Sequence, residues 1–270
     1  MRIFSLLFFL SICCLSLEAA VVDTVRVHSR AMSKDIKAVV IMPETNKPQS
    51  VLYLLHGYSG DHADWVNKSP HIKDLVDRYN YMVVCPDGGY DSWYWDTDDS
   101  NYKYETFIIK ELIPYVEQTY SVKGQRENRG ITGLSMGGHG ALYLALRHQD
   151  VFAFAGSTSG GVDIRPFANN WSIKNRLGVM SDHFDTWTAY TVMGNLHLIE
   201  PGKLKLFIDC GTEDFFYPVN NKLHEELTYM NIDHHYLVMP GKHNWEYWQR
   251  SIDYQMAFFK QCFDPTLVGK

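Results

Sequence analysis

Two periodicities alternate along the chain. Val21–Arg30 and Ile36–Met42 alternate apolar and polar positions, the two-residue period of a half-exposed strand. They read as antiparallel edge strands joined by a turn. Val51-Leu52-Tyr53-Leu54-Leu55 and Met82-Val83-Val84-Cys85 are unbroken apolar runs, as in strands buried on both faces. Arg129–Thr132, Val151–Ala155, Leu204–Ile208 and His234–Met239 complete the predicted strands. Helical periods fill the gaps. Ile72–Tyr79 is a short helix, and Glu105–Tyr120 places Ile108, Leu112, Ile113 and Val116 on one face. Gly140–Leu146, Pro218–Met230 and Asn244–Phe263 are further helices. Pro43–Ser50 is a polar loop and Tyr90–Tyr102 an aromatic one. Gly156–Pro201 lacks a clear period apart from a helix near Thr188–Leu198.

Strands alternating with helices predict an α/β fold: a mostly parallel central sheet of about eight strands with helices on both faces. No repeat, low-complexity tract or linker divides residues 21–270, which read as one domain. In such sheets ligands gather at the carboxyl ends of the strands. Polar residues at those ends are therefore the ones to examine.

Composition narrows the partners. The 270 residues are 46% hydrophobic and 21% charged with net charge −6, and they contain no basic run, so nucleic acid is not expected. Met1–Ala20 has the form of a secretory signal, with Arg2 before an apolar stretch and small residues at Ala19 and Ala20. It implies a secreted or periplasmic protein with no stable membrane span after cleavage. Leu10-Ser11-Ile12-Cys13 resembles a lipoprotein box only faintly, since Ile12 stands where a small residue is expected. Cys13 and Cys14 leave with the signal. Cys85, Cys210 and Cys262 remain, an odd number that gives no disulfide framework and reads as small buried hydrophobes. No Cys or His cluster has zinc-like spacing, so no metal is expected.

The chemistry centres on Gly133-Leu134-Ser135-Met136-Gly137-Gly138, which lies between a strand and a helix. That is the context of a nucleophile elbow, with Ser135 at the apex. Gly-x-Ser-x-Gly alone arises by chance in about one chain in ten of this length. Companions are therefore required. A serine hydroxyl needs a base, and the base an orienting carboxylate, in the order Ser, acid, His. After the strand Leu204–Ile208, Asp214 lies out in the loop and is the expected acid, with Glu213 and Asp209 as reserves. His224 falls inside a helix, and His234 and His235 begin a strand at the wrong end of the sheet. His243, after the last strand, is the expected base. Backbone N–H groups of Tyr58, following His56-Gly57, and of Met136, at a helix N-terminus, are the expected oxyanion donors. The His56 side chain reads as a brace for its loop.

Leu54–Gly60, Pro86–Gly89, Gly133–Ala141, Gly211–Asp214 and Pro240–Trp245 together resemble the esterase D / carbohydrate esterase family one group. This is a group of α/β-hydrolases that includes acetylxylan and feruloyl esterases, S-formylglutathione hydrolase and mycolyltransferases. The resemblance spans about residues 22–262. It implies Ser135 as nucleophile, Asp214 as acid, His243 as base, Tyr58 and Met136 as oxyanion donors, and no cofactor.

The expected activity is hydrolysis of carboxylic esters through an acyl-enzyme. Acetyl or feruloyl esters on plant polysaccharide are the leading substrates, because an exported protein would not meet an intracellular thioester. A general carboxylesterase, an acyltransferase of the mycolyltransferase type and a non-catalytic binding protein remain as alternatives. Trp93 and Trp95, in the loop after a strand's carboxyl end, are candidates for stacking on a sugar or phenolic ring. The competing reading has the same indoles plugging the loop into the core.

Overall fold

The computed structural model describes residues 20–44 and 48–267. All of the predicted signal except Ala20 lies outside these residues, as does part of the Pro43–Ser50 loop. Eight strands form one sheet: β1 (Val21–Ser29), β2 (Lys34–Met42), β3 (Val51–Leu55), β4 (Met82–Pro86), β5 (Arg129–Gly133), β6 (Phe154–Thr158), β7 (Lys205–Gly211) and β8 (His234–Met239). Their order is β1-β2-β4-β3-β5-β6-β7-β8. β1 pairs antiparallel with β2, and β2 antiparallel with β4; every later pairing is parallel. The α/β-hydrolase architecture expected from the sequence is therefore present. Only β1 of the first hairpin lies at an edge, because β4 covers the far side of β2.

Helices on the two faces explain the unbroken apolar runs. Val51, Tyr53 and Leu55 of β3 enter one core cluster, while Leu52 and Leu54 enter the other. Adjacent side chains point to opposite faces, so both phases must be apolar. Each fully buried Leu there contributes roughly 1.5–3 kcal/mol. The chain carries helices α1 (Asp64–Lys68) and α2 (Ile72–Tyr79), then α3 (Tyr104–Thr106), which runs through a π-helical stretch (Phe107–Leu112) into α4 (Ile113–Tyr120). Ile108, Leu112, Ile113 and Val116 are all buried, as their shared face predicts. Next come α5 (Met136–Arg147), α6 (Lys174–Leu177), α7 (Phe184–Ala189), α8 (Tyr217–Tyr229) and α9 (Trp245–Phe263).

Two elements differ from the sequence reading. The strand predicted at Val151–Ala155 begins three residues later, at Phe154. The amides of Val151 and Phe152 are taken up by the His148 carbonyl (2.9 and 3.1 Å), which holds them in the turn closing α5. The helix predicted at Thr188–Leu198 is interrupted. α7 stops at Ala189 and a 3-10 turn resumes at Met193. Between them the Asn195 side chain donates to the carbonyls of Ala189 and Thr191, both at 2.7 Å, so a side chain occupies acceptors that a continuous helix would use.

Candidate active site

Ser135 lies between the end of β5 and the start of α5, with φ 56° and ψ −116°. A serine adopts this backbone only where its surroundings impose it. Here its N–H donates to Thr158 O of β6 at 3.0 Å, and its carbonyl accepts from His139 and Gly161 at 3.0 and 3.2 Å. The turn is also tightly wedged. A Cβ on Gly137 would stand 2.5 Å from Leu55 O and 2.6 Å from His56 O, backbone atoms that cannot yield cheaply. Gly133 is equally confined, its missing Cβ falling 2.6 Å from Leu55 O. The two glycines of the motif let the elbow seat directly on β3.

His243 follows β8, and Asp214 follows β7, so both lie at the carboxyl ends of their strands together with Ser135. The structure brings them into one chain of hydrogen bonds. Ser135 Oγ lies 2.8 Å from His243 Nε2, and His243 Nδ1 lies 2.8 and 3.0 Å from the two Asp214 oxygens. A carboxylate accepts only, so Nδ1 carries the proton and Nε2 accepts from the serine hydroxyl. The Asp214 side chain is fully buried, and its Oδ1 also accepts from Phe216 N–H at 2.8 Å. Rings fix the imidazole on three sides: Phe215 at 4.2 Å, Trp248 at 5.0 Å and Phe216 at 5.4 Å between centroids.

The two reserve carboxylates do other work. Asp209 is buried and accepts from Thr158, Ser251 and Gln255 at 2.6–2.7 Å and from Tyr247 at 3.0 Å. Burial pushes its carboxyl above the usual range, against the pull of those four donors. Glu213 is exposed, 3.7 Å from Lys242 Nζ.

Tyr58 lines the opening over Ser135, Met136 is the first residue of α5 directly after it, and neither backbone N–H meets an acceptor among the described residues. The His56 imidazole is buried and braces that loop, donating from Nδ1 to Gly57 O at 2.7 Å and accepting from Gly88 N–H at Nε2, also 2.7 Å. Over Ser135 lies a cavity of about 270 Å³, walled by Tyr58, Trp171, His243, Trp245, Trp248 and the Asp64–Lys68 ion pair. Among the described residues, no group of three or more His, Cys, Asp or Glu could hold a metal ion. No helix in them is long and apolar enough to cross a membrane. Among the described residues, Cys85, Cys210 and Cys262 are buried and unpaired.

Trp93 and Trp95 do not line this cavity. They are 1% and 0% exposed, so the stacking reading is corrected in favour of the core plug. The loop turns inward because Trp93 and Tyr94 both take left-handed backbone (φ 52° and 63°). Gly140 of α5 leaves room for it, since a Cβ there would stand 2.4 Å from the Tyr94 ring. The indoles that do line the cavity over Ser135 are Trp171, Trp245 and Trp248, beside Tyr58. Trp245 and Trp248 follow His243 closely enough for the spacing to have flagged them. Trp171 sits in the stretch without a period, where nothing marked it.

Comparison with known proteins places the chain in a family. A family model described as "Putative esterase" matches residues 29–259. An acetyl esterase of Caldicellulosiruptor saccharolyticus is 28% identical over 258 residues, covering 83% of this chain and 92% of the relative. A diacylglycerol acyltransferase/mycolyltransferase Ag85A of Mycobacterium gordonae is 34% identical over 152 residues, covering 53% of this chain and only 43% of its own length. Among solved structures, a ferulic acid esterase superposes with TM-score 0.75 at 28% identity, covering 90% of this chain and 98% of that one. The chain thus belongs to the esterase family of α/β-hydrolases and is a serine carboxylic-ester hydrolase.

Proposed function

We propose that this protein is an exported esterase that removes acetyl or feruloyl groups from plant polysaccharide, with Ser135, His243 and Asp214 as its catalytic triad. The observation that carries the triad is the unbroken hydrogen-bond chain from Ser135 Oγ through His243 to Asp214. Ser135 Oγ attacks the ester carbonyl as His243 Nε2 takes its proton. The oxyanion forms between the Tyr58 and Met136 N–H groups, the second reinforced by the N-terminus of α5. His243 then protonates the leaving alcohol, and water, activated by the same imidazole, releases the acid. Asp214 holds the imidazole in the tautomer this sequence requires.

Likeness to a protein named acetyl esterase and to a structure named ferulic acid esterase supports the choice of acyl groups. The predicted signal at Met1–Ala20 supports export. Purified protein should release acetate or ferulate from substituted xylan oligosaccharides, and Ser135→Ala should lower turnover by about 10⁴- to 10⁶-fold. If wild type cleaves simple acyl esters but no sugar ester, it is a general carboxylesterase. The mycolyltransferase relative favours one other reading, in which a sugar hydroxyl intercepts the acyl-enzyme. Transfer to an added acceptor sugar, seen by mass spectrometry, would establish it.

A further inference from the structure

Beside the catalytic cavity, across the turn Tyr58–Gly60, lies a second hollow of about 350 Å³ bounded by Lys34, Asp35, Asp87, Tyr90 and Tyr104. Gly60 lines both hollows, so they are neighbours over a ridge only three residues wide. At most about 10 Å of chain separates them. The ridge is tied to the second hollow by its backbone, with Ser59 N–H donating to Tyr90 O at 2.8 Å. The Tyr58 and Tyr90 rings meet edge to face at 4.9 Å between centroids.

The walls offer unspent polar capacity. Tyr90 is 61% exposed, an unusual position for a tyrosine ring already anchored by its backbone. Asp87 Oδ1 accepts from Gly89 N–H at 2.8 Å, while Oδ2 stands 3.8 Å from His62 Nδ1, too far for a hydrogen bond. The Lys34 ammonium donates to Asn101 O at 2.9 Å and to Tyr104 OH at 3.3 Å, which leaves its third proton available. An aromatic face, a carboxylate acceptor and an ammonium donor around one hollow suit a neutral polyol. A phosphate or carboxylate ligand would meet repulsion from Asp35 and Asp87. An apolar ligand would strand all three charges, Lys34, Asp35 and Asp87.

From this juxtaposition we infer that the hollow is a second carbohydrate subsite, which holds a neutral sugar of the same chain that presents its ester to Ser135. The inference deepens the proposed function and rests on it. Sugars bound there would anchor the polysaccharide across the oxyanion turn, so long substrates gain affinity that a methyl or ethyl ester cannot.

Two measurements test it. In the first, unesterified xylo-oligosaccharides are titrated calorimetrically into full-length Ser135→Ala protein, with and without Tyr90→Ala. In the second, kcat/KM on a feruloylated or acetylated xylo-oligosaccharide is divided by that on the ethyl ester, for wild type, Tyr90→Ala and Lys34→Met. Loss of the Tyr90 face should lower that ratio about tenfold, through KM. Lys34→Met should move it the same way, which guards against one variant that folds badly. Oligosaccharide binding that survives Tyr90→Ala, with the ratio unmoved in both variants, would overturn the subsite and leave the esterase reading standing. Binding that is lost with Tyr90→Ala, in a protein that cleaves no sugar ester, would leave a sugar-binding hollow but overturn its link to an ester presented to Ser135, together with the polysaccharide-ester substrate.

Discussion

The indole N–H of Trp95 donates to Nε2 of His139 at 3.0 Å, on the helix that begins directly after Ser135. On the other side of the ring, Nδ1–H donates to Gly161 O at 3.0 Å. Both ring nitrogens are thus satisfied by a neutral imidazole. Burial drives the His139 pKa down from 6.5 to about 3, against a smaller upward pull from the Gly161 bond. The unfolded chain binds a proton here below about pH 6.5, and the folded protein does not until about pH 3. Stability is therefore full above pH 6.5 and falls with acidification through that window, by up to about 1.4 kcal/mol per pH unit from this residue. Thermal unfolding of wild type and His139→Gln between pH 7 and 4 measures the difference in slope. Equal slopes would show that His139 takes up a proton in the fold.

Asp214→Asn should disable the site without dismantling it. An amide can turn its NH₂ toward His243 Nδ1, which moves the ring proton to Nε2, the atom that must accept from Ser135. The fall in kcat is expected to be about 10³- to 10⁴-fold, with thermal stability changed far less. Retention of a tenth or more of wild-type kcat would remove Asp214 from the role proposed for it.

The meeting of Ser135, His243 and Asp214 was legible in the sequence because it is a consequence of topology. Three polar residues, each closing a parallel strand, must emerge on one edge of the sheet, and the glycines at 133 and 137 mark where the backbone is tight. Asp209 and Asp214 were harder to separate. Both lie at the same strand end, and only the packing of α9 shows that Asp209 faces Tyr247, Ser251 and Gln255. The direction taken by the Trp93–Trp95 loop was not legible, because two left-handed residues decide it and neither is glycine. Residues 156–201 escaped prediction for another reason. Their helices are four and six residues long and are held by distant partners, so local periodicity carries little of the information.

Asp209→Ala is expected to unfold the protein more readily than any triad substitution. It would leave four donors buried without an acceptor: Thr158, Tyr247, Ser251 and Gln255. Each orphaned donor costs about 1–3 kcal/mol, although mutual rearrangement among the hydroxyls recovers part of the sum. A drop in denaturant midpoint well beyond that of Asp214→Asn is the outcome to look for. An unchanged midpoint would mean that water fills the site and satisfies all four.

Trp171 reaches the catalytic cavity from a segment anchored elsewhere, which makes its placement separable from the triad. It and Ser172 occupy left-handed backbone (φ 49° and 56°), and the ring packs on Phe216 at 5.1 Å and on Phe215 at 5.7 Å. Five residues on, Arg176 Nη2 donates to both oxygens of Asp91 at 3.0 Å and to Tyr102 OH at 2.6 Å. Its guanidinium lies 3.4 Å above the Tyr102 ring. The Asp91 side chain is 9% exposed, so Arg176→Met leaves a nearly buried carboxylate without its cation, a loss of about 3–5 kcal/mol that falls on this segment. A wall that is no longer held should discriminate acyl groups less well. Both Arg176→Met and Trp171→Ala are expected to lower kcat/KM for ethyl ferulate about tenfold relative to ethyl acetate, because the ferulate ring loses an aromatic partner that acetate never reaches. Ser135 should still be labelled by an organophosphonate in both variants, since no triad hydrogen bond passes through the segment. Equal losses on the two esters would mean that Trp171 supports the fold of the site and takes no part in choosing the acyl group.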